Sequence, residues 1–272
     1  MWTTDKHVFI HLNKAAGVFV KDWMIRYLSA NLHRYKHAPI RMLNTKHRDK
    51  IKIGCIRDPF KWYESYYKYL TQQKRITDLS FRQFIETYTM HPRALFDFMG
   101  KKVRKKFENL YPPKTTLPIG TWTFHYINYF QFDARKTLAG NGDIVHNDLD
   151  FLMRTETLAE DMIKVFGEEY REVIKFYPMK NVSREQFNRW SPELIKLVEL
   201  RDGVLMKELG YGNANQKVPD KTEHRKKRNE SVPSDVSNRL PKRKGAKVGT
   251  QPHRNKRPAG PGSDTGGMEG AL

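Results

Sequence analysis

Two short stretches of the chain place a cation where a strand gives way to a helix. In "HVFIHLNKAAGVFV", Lys14 follows an apolar run and precedes a helix-like pattern. In "CIRDPFKWYESYY", Arg57 ends a second apolar run, and Ser65 lies about two turns into the helix that Pro59 opens. Helix N–H groups, a lysine and an arginine–serine pair can together bind phosphate or a similar anion. The alternative interpretation makes Arg57 a surface ion-pair residue and Ser65 an ordinary helix residue.

The surrounding pattern predicts strands that alternate with helices. The runs "HVFIHL" and "KIKIGCI" and a segment near 150–155 favour buried strands, and helical spacing follows each of them. We expect helices from about Val18 to His33, from Pro59 onward, from about Leu158 to Gly167, and over "SPELIKLVELRDGVLMKEL". This alternation is typical of a single α/β domain with a central parallel sheet, whose ligands lie at the carboxyl ends of the strands.

The charge of the chain indicates an anionic partner. Of its 272 residues, 213–272 contain no Phe, Tyr, Trp or Ile and carry a net charge of +8, a composition that predicts a disordered basic tail. The total charge is +20, so residues 1–212, the predicted folded domain, retain +12. A basic domain suits nucleic acid, an acidic glycan or peptide, a membrane surface or a phosphorylated cofactor. The alternative is a set of solvated lysines without a specific partner.

Cysteine content and hydropathy limit the classes of protein further. Cys55 is the only cysteine, so an intrachain disulfide and metal sites built on cysteine pairs are excluded. The sequence shows neither a signal-peptide pattern nor an apolar run of transmembrane length. These observations predict a cytoplasmic protein without a metal site.

Four blocks of the chain resemble the sulfotransferase family, in the order and spacing of that family across residues 7–212. "FIHLNKAAGVFV" resembles the 5′-phosphosulfate-binding loop, roughly I-P-K-x-G-G-T-S, and "CIRDPFKWYESYYKYL" resembles the 3′-phosphate motif, roughly V-R-[ND]-P-x-x-R-x-x-S-x-Y. "FLMRTETLAEDM" is similar to the strand–helix element that ends in E-x-L-x-x-D. "KNVSREQF", with the C-terminal helix and its "GYG", is similar to the last block. The closest branch is the carbohydrate sulfotransferases of the heparan and chondroitin type, with their bacterial relatives.

The resemblance implies a P-loop-like, three-layer fold and the cofactor 3′-phosphoadenosine 5′-phosphosulfate (PAPS). It implies that Lys14 contacts the oxygen bridging phosphate and sulfate, and that Arg57 and Ser65 bind the 3′-phosphate. The 5′-phosphate would be held by backbone N–H groups of the loop, namely Ala15, Ala16, Gly17 and Val18, with Asn13 as an additional side-chain donor. The implied reaction moves a sulfuryl group to an acceptor hydroxyl or amine.

An acceptor hydroxyl needs a base, and histidine is the usual side chain for that role. We predict His37, which resembles a lysine–histidine element preceding the arginine motif in bacterial members, with His125 as the alternative. The loop departs from the family because Val18 and Phe19 replace two hydroxyl residues. Weaker cofactor binding, or a catalytically degraded relative that binds polyanions, would follow from that loss.

The acceptor has more than one candidate. The segment "KKVRKK" (101–106) suits an anionic glycan, and Trp62, Trp122 and Tyr126 are either sugar-stacking surfaces or core residues. An acidic peptide carrying tyrosine fits the same charges. The basic clusters of the tail suit non-specific nucleic-acid binding. A nucleoside kinase would need a Walker lysine and a hydroxyl for magnesium, which Val18 does not provide.

Overall fold

The computed structural model describes residues 1–33, 35–76, 78–90, 117–178 and 189–211. Within these residues five strands form one sheet, in the order β3-β1-β2-β4-β5. The strands are β1 (Trp2–Thr3), β2 (His7–Ile10), β3 (Asn31–Leu32), β4 (Ile51–Ile56) and β5 (Phe151–Arg154). Strand β4 is parallel to both β2 and β5, whereas β1 is antiparallel to β2 and β3.

Helices follow each of the three parallel strands. The described α-helices are α1 (Gly17–Leu28), α2 (Pro59–Gln72), α3 (Phe81–Met90), α4 (Thr121–Phe130), α5 (Ala134–Leu138), α6 (Leu158–Phe166), α7 (Arg171–Phe176) and α8 (Pro192–Glu208). Short 3₁₀ turns cover Ile40–Met42, Thr45–His47 and Glu168–Tyr170. The predicted α/β class is therefore confirmed.

The sheet is mixed: the predicted central parallel sheet is present in β2, β4 and β5, whereas β1 and β3 add antiparallel strands at one edge. Only three residues separate β1 from β2, and a parallel crossover needs about a dozen. The Thr4 hydroxyl oxygen accepts hydrogen bonds from the backbone N–H groups of Lys6 (3.2 Å) and His7 (2.9 Å), which closes a tight turn. The chain therefore reverses and pairs antiparallel before the parallel part of the sheet begins.

Alternate residues of the strands enter two separate hydrophobic clusters. Val8 and Ile10 of β2 join one cluster with residues of α2, α3, α4 and α8. Phe9, between them, joins a second cluster with residues of α1, α6 and α7. Because neighbouring strand residues point to opposite faces, the sheet lies between two helical layers.

Most predicted helix boundaries agree with the structure. Pro59 opens α2 and Gly167 ends α6, as the sequence predicted. Helix α1 ends at Leu28 rather than near His33, because Ser29 takes a left-handed conformation (φ 52°) and the next residues pair with β1. All described residues belong to one compact unit, Met1–Gln216, whereas the predicted tail, 213–272, lies outside the described residues.

Candidate active site

The turns that follow β2, β4 and β5 all lie at the same end of the sheet, where the parallel strands terminate. The register pairs Ile10 of β2 with Gly54 of β4, and Ile56 of β4 with Arg154 of β5. The turn that contains Lys14 therefore lies beside the turn that contains Arg57. This end of the sheet contains the carboxyl ends of three parallel strands, which is where α/β proteins bind their ligands.

The turn before α1 is built to expose backbone N–H groups. Lys14 (φ 63°) and Ala16 (φ 52°) both adopt left-handed conformations that non-glycine residues rarely take. Ala16 is the N-cap of α1, and no side chain caps this helix end. The first N–H groups of a helix have no acceptor within the helix itself, so this end is ready to receive an anion.

Gly17 is required at the start of α1 because a histidine ring lies directly beneath it. A Cβ atom added at position 17 would lie 1.7 Å from both Cδ2 and Nε2 of His11. The His11 ring is buried and stacks on Phe9, with 5.8 Å between ring centroids. The imidazole thus forms the floor of the turn, and only glycine fits above it.

Two buried tryptophans hold the two turns. The indole Nε1 of Trp62 donates to the carbonyl of Asn13 (2.8 Å), and that of Trp122 donates to the carbonyl of Arg57 (3.1 Å). Both tryptophans and Tyr126 are fully buried, and the Tyr126 hydroxyl donates to the carbonyl of Val145 (2.9 Å). The prediction of a sugar-stacking role for these three aromatics is therefore wrong, and the core interpretation is confirmed.

Lys14 lies in a positive field. Its Nζ atom is 4.8 Å from the centre of the Tyr69 ring, a cation–π contact. Burial lowers the pKa of Lys14, and the neighbouring charges of Arg57 and Lys36 lower it further. Repulsion among these cations is relieved when an anion binds between them, so the electrostatics favour a negatively charged ligand.

Burial and three nearby carboxylates set the electrostatics of Arg57. Burial lowers the pKa of Arg57, and the charges of Glu156, Glu64 and Asp58 oppose that effect. Nevertheless, among the described residues no hydrogen bond or ion pair joins the guanidinium to a carboxylate. Ser65 lies half-buried on α2, and in the described part of the chain no hydrogen bond connects it with Arg57.

The hydrogen bonding of His37 determines which of its ring nitrogens is basic. Nδ1 of His37 lies 3.1 Å from the carbonyl oxygen of His11, and a carbonyl can only accept. The proton is therefore on Nδ1, and the lone pair is on Nε2. The His11 and His37 rings are 4.4 Å apart, and burial lowers the pKa of His37 to about 4, so the ring is neutral near pH 7.

His125 is deeper in the protein. It is 3% exposed and packs against Trp62 (5.5 Å between ring centroids) and Tyr129 (5.8 Å). Neither of its ring nitrogens has a hydrogen-bond partner among the described residues. Burial lowers the pKa of His125 to about 3, and the nearby His37 adds to this effect. Of the two predicted bases, His37 is the more accessible.

Comparison of the chain with family models, curated proteins and solved structures finds no match. Over the described ranges, no group of His, Cys, Asp and Glu side chains could hold a metal ion. No helix in the same ranges is long and apolar enough to cross a membrane.

The structure brings most of the predicted site residues to one edge of the sheet. Asn13 contributes its carbonyl to Trp62, whereas no described hydrogen bond uses its side chain. The segments "KKVRKK" (101–106) and "KNVSREQF" (180–187) lie outside the described residues. Sequence reasoning gave no role to His11, Tyr69 or Glu156. For His11, its position two residues after Phe9 of β2 was a usable signal that the ring lies on the same face as Phe9.

Proposed function

We propose that this protein is a PAPS-dependent sulfotransferase with a P-loop-like fold. The observation that supports the proposal most directly is the pairing of two anion-binding turns on adjacent parallel strands. One turn offers an uncapped helix end and Lys14, and the other offers the guanidinium of Arg57. A nucleotide with phosphates at both its 5′ and 3′ positions presents two anionic groups to such a pair.

The residues of the first turn would hold the 5′ end of the cofactor. Backbone N–H groups of residues 15–18 would bind its 5′-phosphate, while Lys14 would stabilise negative charge on the departing phosphate oxygen. Arg57, assisted by Ser65, would bind the 3′-phosphate through its planar fork. PAPS supplies the sulfuryl group, and these protein groups supply positioning and charge stabilisation.

His37 is our proposed base. Nε2 of His37 would take up the proton of the acceptor hydroxyl as that oxygen receives the sulfuryl group, and the bisphosphate held by the loop and Lys14 would be the leaving group. The hydrogen bond from Nδ1 to the His11 carbonyl keeps that lone pair unprotonated and oriented. His125, which is buried among aromatic rings, would act instead only if the substrate reached that interior position.

The acceptor is proposed on the basis of charge. Residues 1–212 carry a net charge of +12, which suits an anionic glycan with a free hydroxyl. The net positive charge of residues 213–272 likewise suits non-specific binding of polyanions. The single cysteine is consistent with a cytoplasmic site of action, which we include in the proposal.

The test is calorimetric titration of the full chain with 3′,5′-adenosine bisphosphate, using AMP as the comparison ligand. Arg57→Ala should weaken binding of the bisphosphate by roughly 10-fold to 150-fold, which corresponds to the loss of a charged hydrogen bond worth about 1.5–3 kcal/mol. The affinity for AMP should be nearly unchanged. Lys14→Ala should lower the affinity for both ligands. Lys164→Ala and Arg171→Ala remove exposed cations from α6 and α7 and serve as matched controls.

Equal binding of AMP and the bisphosphate would refute the proposed cofactor. Failure to bind either nucleotide would instead favour the alternative of a degraded site on a polyanion-binding protein. Val18 and Phe19 would then be the physical cause, because Phe19 is buried against Tyr177 (5.4 Å between ring centroids) and offers no hydroxyl.

A further inference from the structure

The Glu156 carboxylate lies at the turn that follows Arg57 and acts on the guanidinium through its charge, but other donors occupy its oxygens. Its Oε1 accepts from the backbone N–H of Asp58 (3.0 Å) and from the Thr155 hydroxyl (2.8 Å). Its Oε2 accepts from the hydroxyl of Tyr211 (3.1 Å). A carboxylate oxygen without such donors would pair with a neighbouring arginine, since charge-assisted bidentate pairs are strong. The present arrangement gives Arg57 a compensating negative charge, and among the described residues no ion pair occupies its fork.

Glu64, the second carboxylate that acts on Arg57, is held in the same manner. It is 8% exposed, and its Oε1 accepts from the indole Nε1 of Trp190 (2.9 Å). Lys61 forms an ion pair with the same oxygen at 3.3 Å. The Trp190 ring packs edge-on against Phe81, with 5.0 Å between ring centroids, and this contact fixes the direction of the indole N–H.

The ending of α8 aims the Tyr211 hydroxyl at Glu156. Gly210 is left-handed (φ 70°), its N–H donates to the carbonyl of Lys207 (3.0 Å), and the Tyr211 N–H donates to that of Met206 (2.7 Å). This pair of bonds is the Schellman ending of a helix, and it turns the next residue back across the helix end. Arg154 lies over the Tyr211 ring at 5.0 Å, which holds the ring in place.

We propose that Tyr211 and Trp190 are positioning residues that keep Glu156 and Glu64 from pairing with Arg57. The guanidinium is thereby kept ready for the anionic ligand, although neither positioning residue contacts that ligand. The inference rests on the proposed function in one respect, because it takes Arg57 to be the anion-binding group. It predicts that loss of a hydroxyl or an indole N–H outside the binding site weakens anion affinity.

The experiment measures binding of 3′,5′-adenosine bisphosphate, and separately of inorganic phosphate, to full-length variants. In Tyr211→Phe, the freed Oε2 of Glu156 should capture Arg57, so both probes should bind about threefold to tenfold more weakly. In Trp190→Phe the loss should have the same direction but be smaller, because Lys61 still pairs with Glu64. Adding Glu156→Gln to Tyr211→Phe should restore affinity, because a neutral amide does not form an ion pair with Arg57. Tyr67→Phe is the matched control, since the Tyr67 hydroxyl donates to the carbonyl of Leu79 (3.0 Å).

The outcomes separate this inference from the proposed function. If Tyr211→Phe and Trp190→Phe bind both probes as tightly as Tyr67→Phe, the positioning role is refuted and the cofactor proposal stands. If phosphate binds through Arg57 but the bisphosphate has no advantage over AMP, the cofactor proposal fails. The phosphate affinities of the variants then decide the positioning role alone. If Arg57→Ala changes the binding of neither probe, both proposals fail.

Discussion

Alanine at position 17 should destabilise the protein, although alanine is a better helix former than glycine. Gly17 is the first residue of α1, and its φ is not left-handed, so the backbone alone would accept alanine. The added Cβ would overlap the His11 ring, with Cδ2 and Nε2 at 1.7 Å and Cε1 at 2.6 Å. The ring is enclosed by Phe9 and His37 and therefore has little room to move.

The magnitude follows from two opposing effects. Overpacking of a filled interior costs up to about 3 kcal/mol, whereas the gain in helix propensity from glycine to alanine is about 1 kcal/mol. The free energy of unfolding should therefore fall by about 2 kcal/mol. For a folded unit of this size, that corresponds to a melting temperature lower by roughly 4–8 °C.

Urea unfolding of Gly17→Ala, followed by circular dichroism, measures this loss. Gly203→Ala is the matched control, because the same substitution in α8 meets no described atom within 4 Å and should stabilise by about 0.5–1 kcal/mol. In the background of His11→Ala the cost of Gly17→Ala should largely disappear, which a double-mutant cycle detects. If Gly17→Ala is as stable as the wild type, the packing of His11 beneath the turn is refuted.

Two further predictions concern buried polar groups. Burial lowers the pKa of His11, His37 and His125 to about 2, 4 and 3, below the usual 6.5, so their neutral forms stabilise the fold above pH 6.5. Stability should fall as the pH drops from 6.5 toward 4, by about 1.4 kcal/mol per pH unit for each such histidine, and His125→Phe should reduce this slope. Equal urea midpoints at pH 7.5 and pH 5 would contradict this pH dependence of stability. Asp202→Ala should cost about 3 kcal/mol, since the buried carboxylate accepts from the Thr123 N–H (2.9 Å) and hydroxyl (2.7 Å). Thermal unfolding measures that loss, Asp202→Asn should lose less, and a melting temperature equal to that of the wild type would exclude a structural role.

Local pattern was sufficient to predict the elements that carry the site. Apolar runs next to turn residues marked β2 and β4, and Pro59 and Gly167 marked helix ends through their own backbone preferences. These signals depend on a few consecutive residues, so they can be read without knowing the fold. The same locality placed Lys14 and Arg57 on turns that follow parallel strands.

Contacts between distant segments could not be predicted in this way. Glu156 and Tyr211 are separated by 55 positions, and Trp62 meets the carbonyl of Asn13 across 49. From its residue type alone, Trp122 could have been a surface side chain that stacks on sugar. Its role depends on an indole N–H that finds the carbonyl of Arg57, a partner that only the folded chain reveals.

The departures at Val18 and Phe19 have a physical counterpart in the turn itself. A loop that lacks hydroxyl donors must bind an anion through backbone N–H groups and charge, and those groups must be free and convergent. The left-handed conformations of Lys14 and Ala16, which are unfavourable for these residue types, leave the helix end uncapped and place it beside two cations. Backbone strain of this kind is common at ligand sites, and it agrees with the anion-binding role that we propose for this turn.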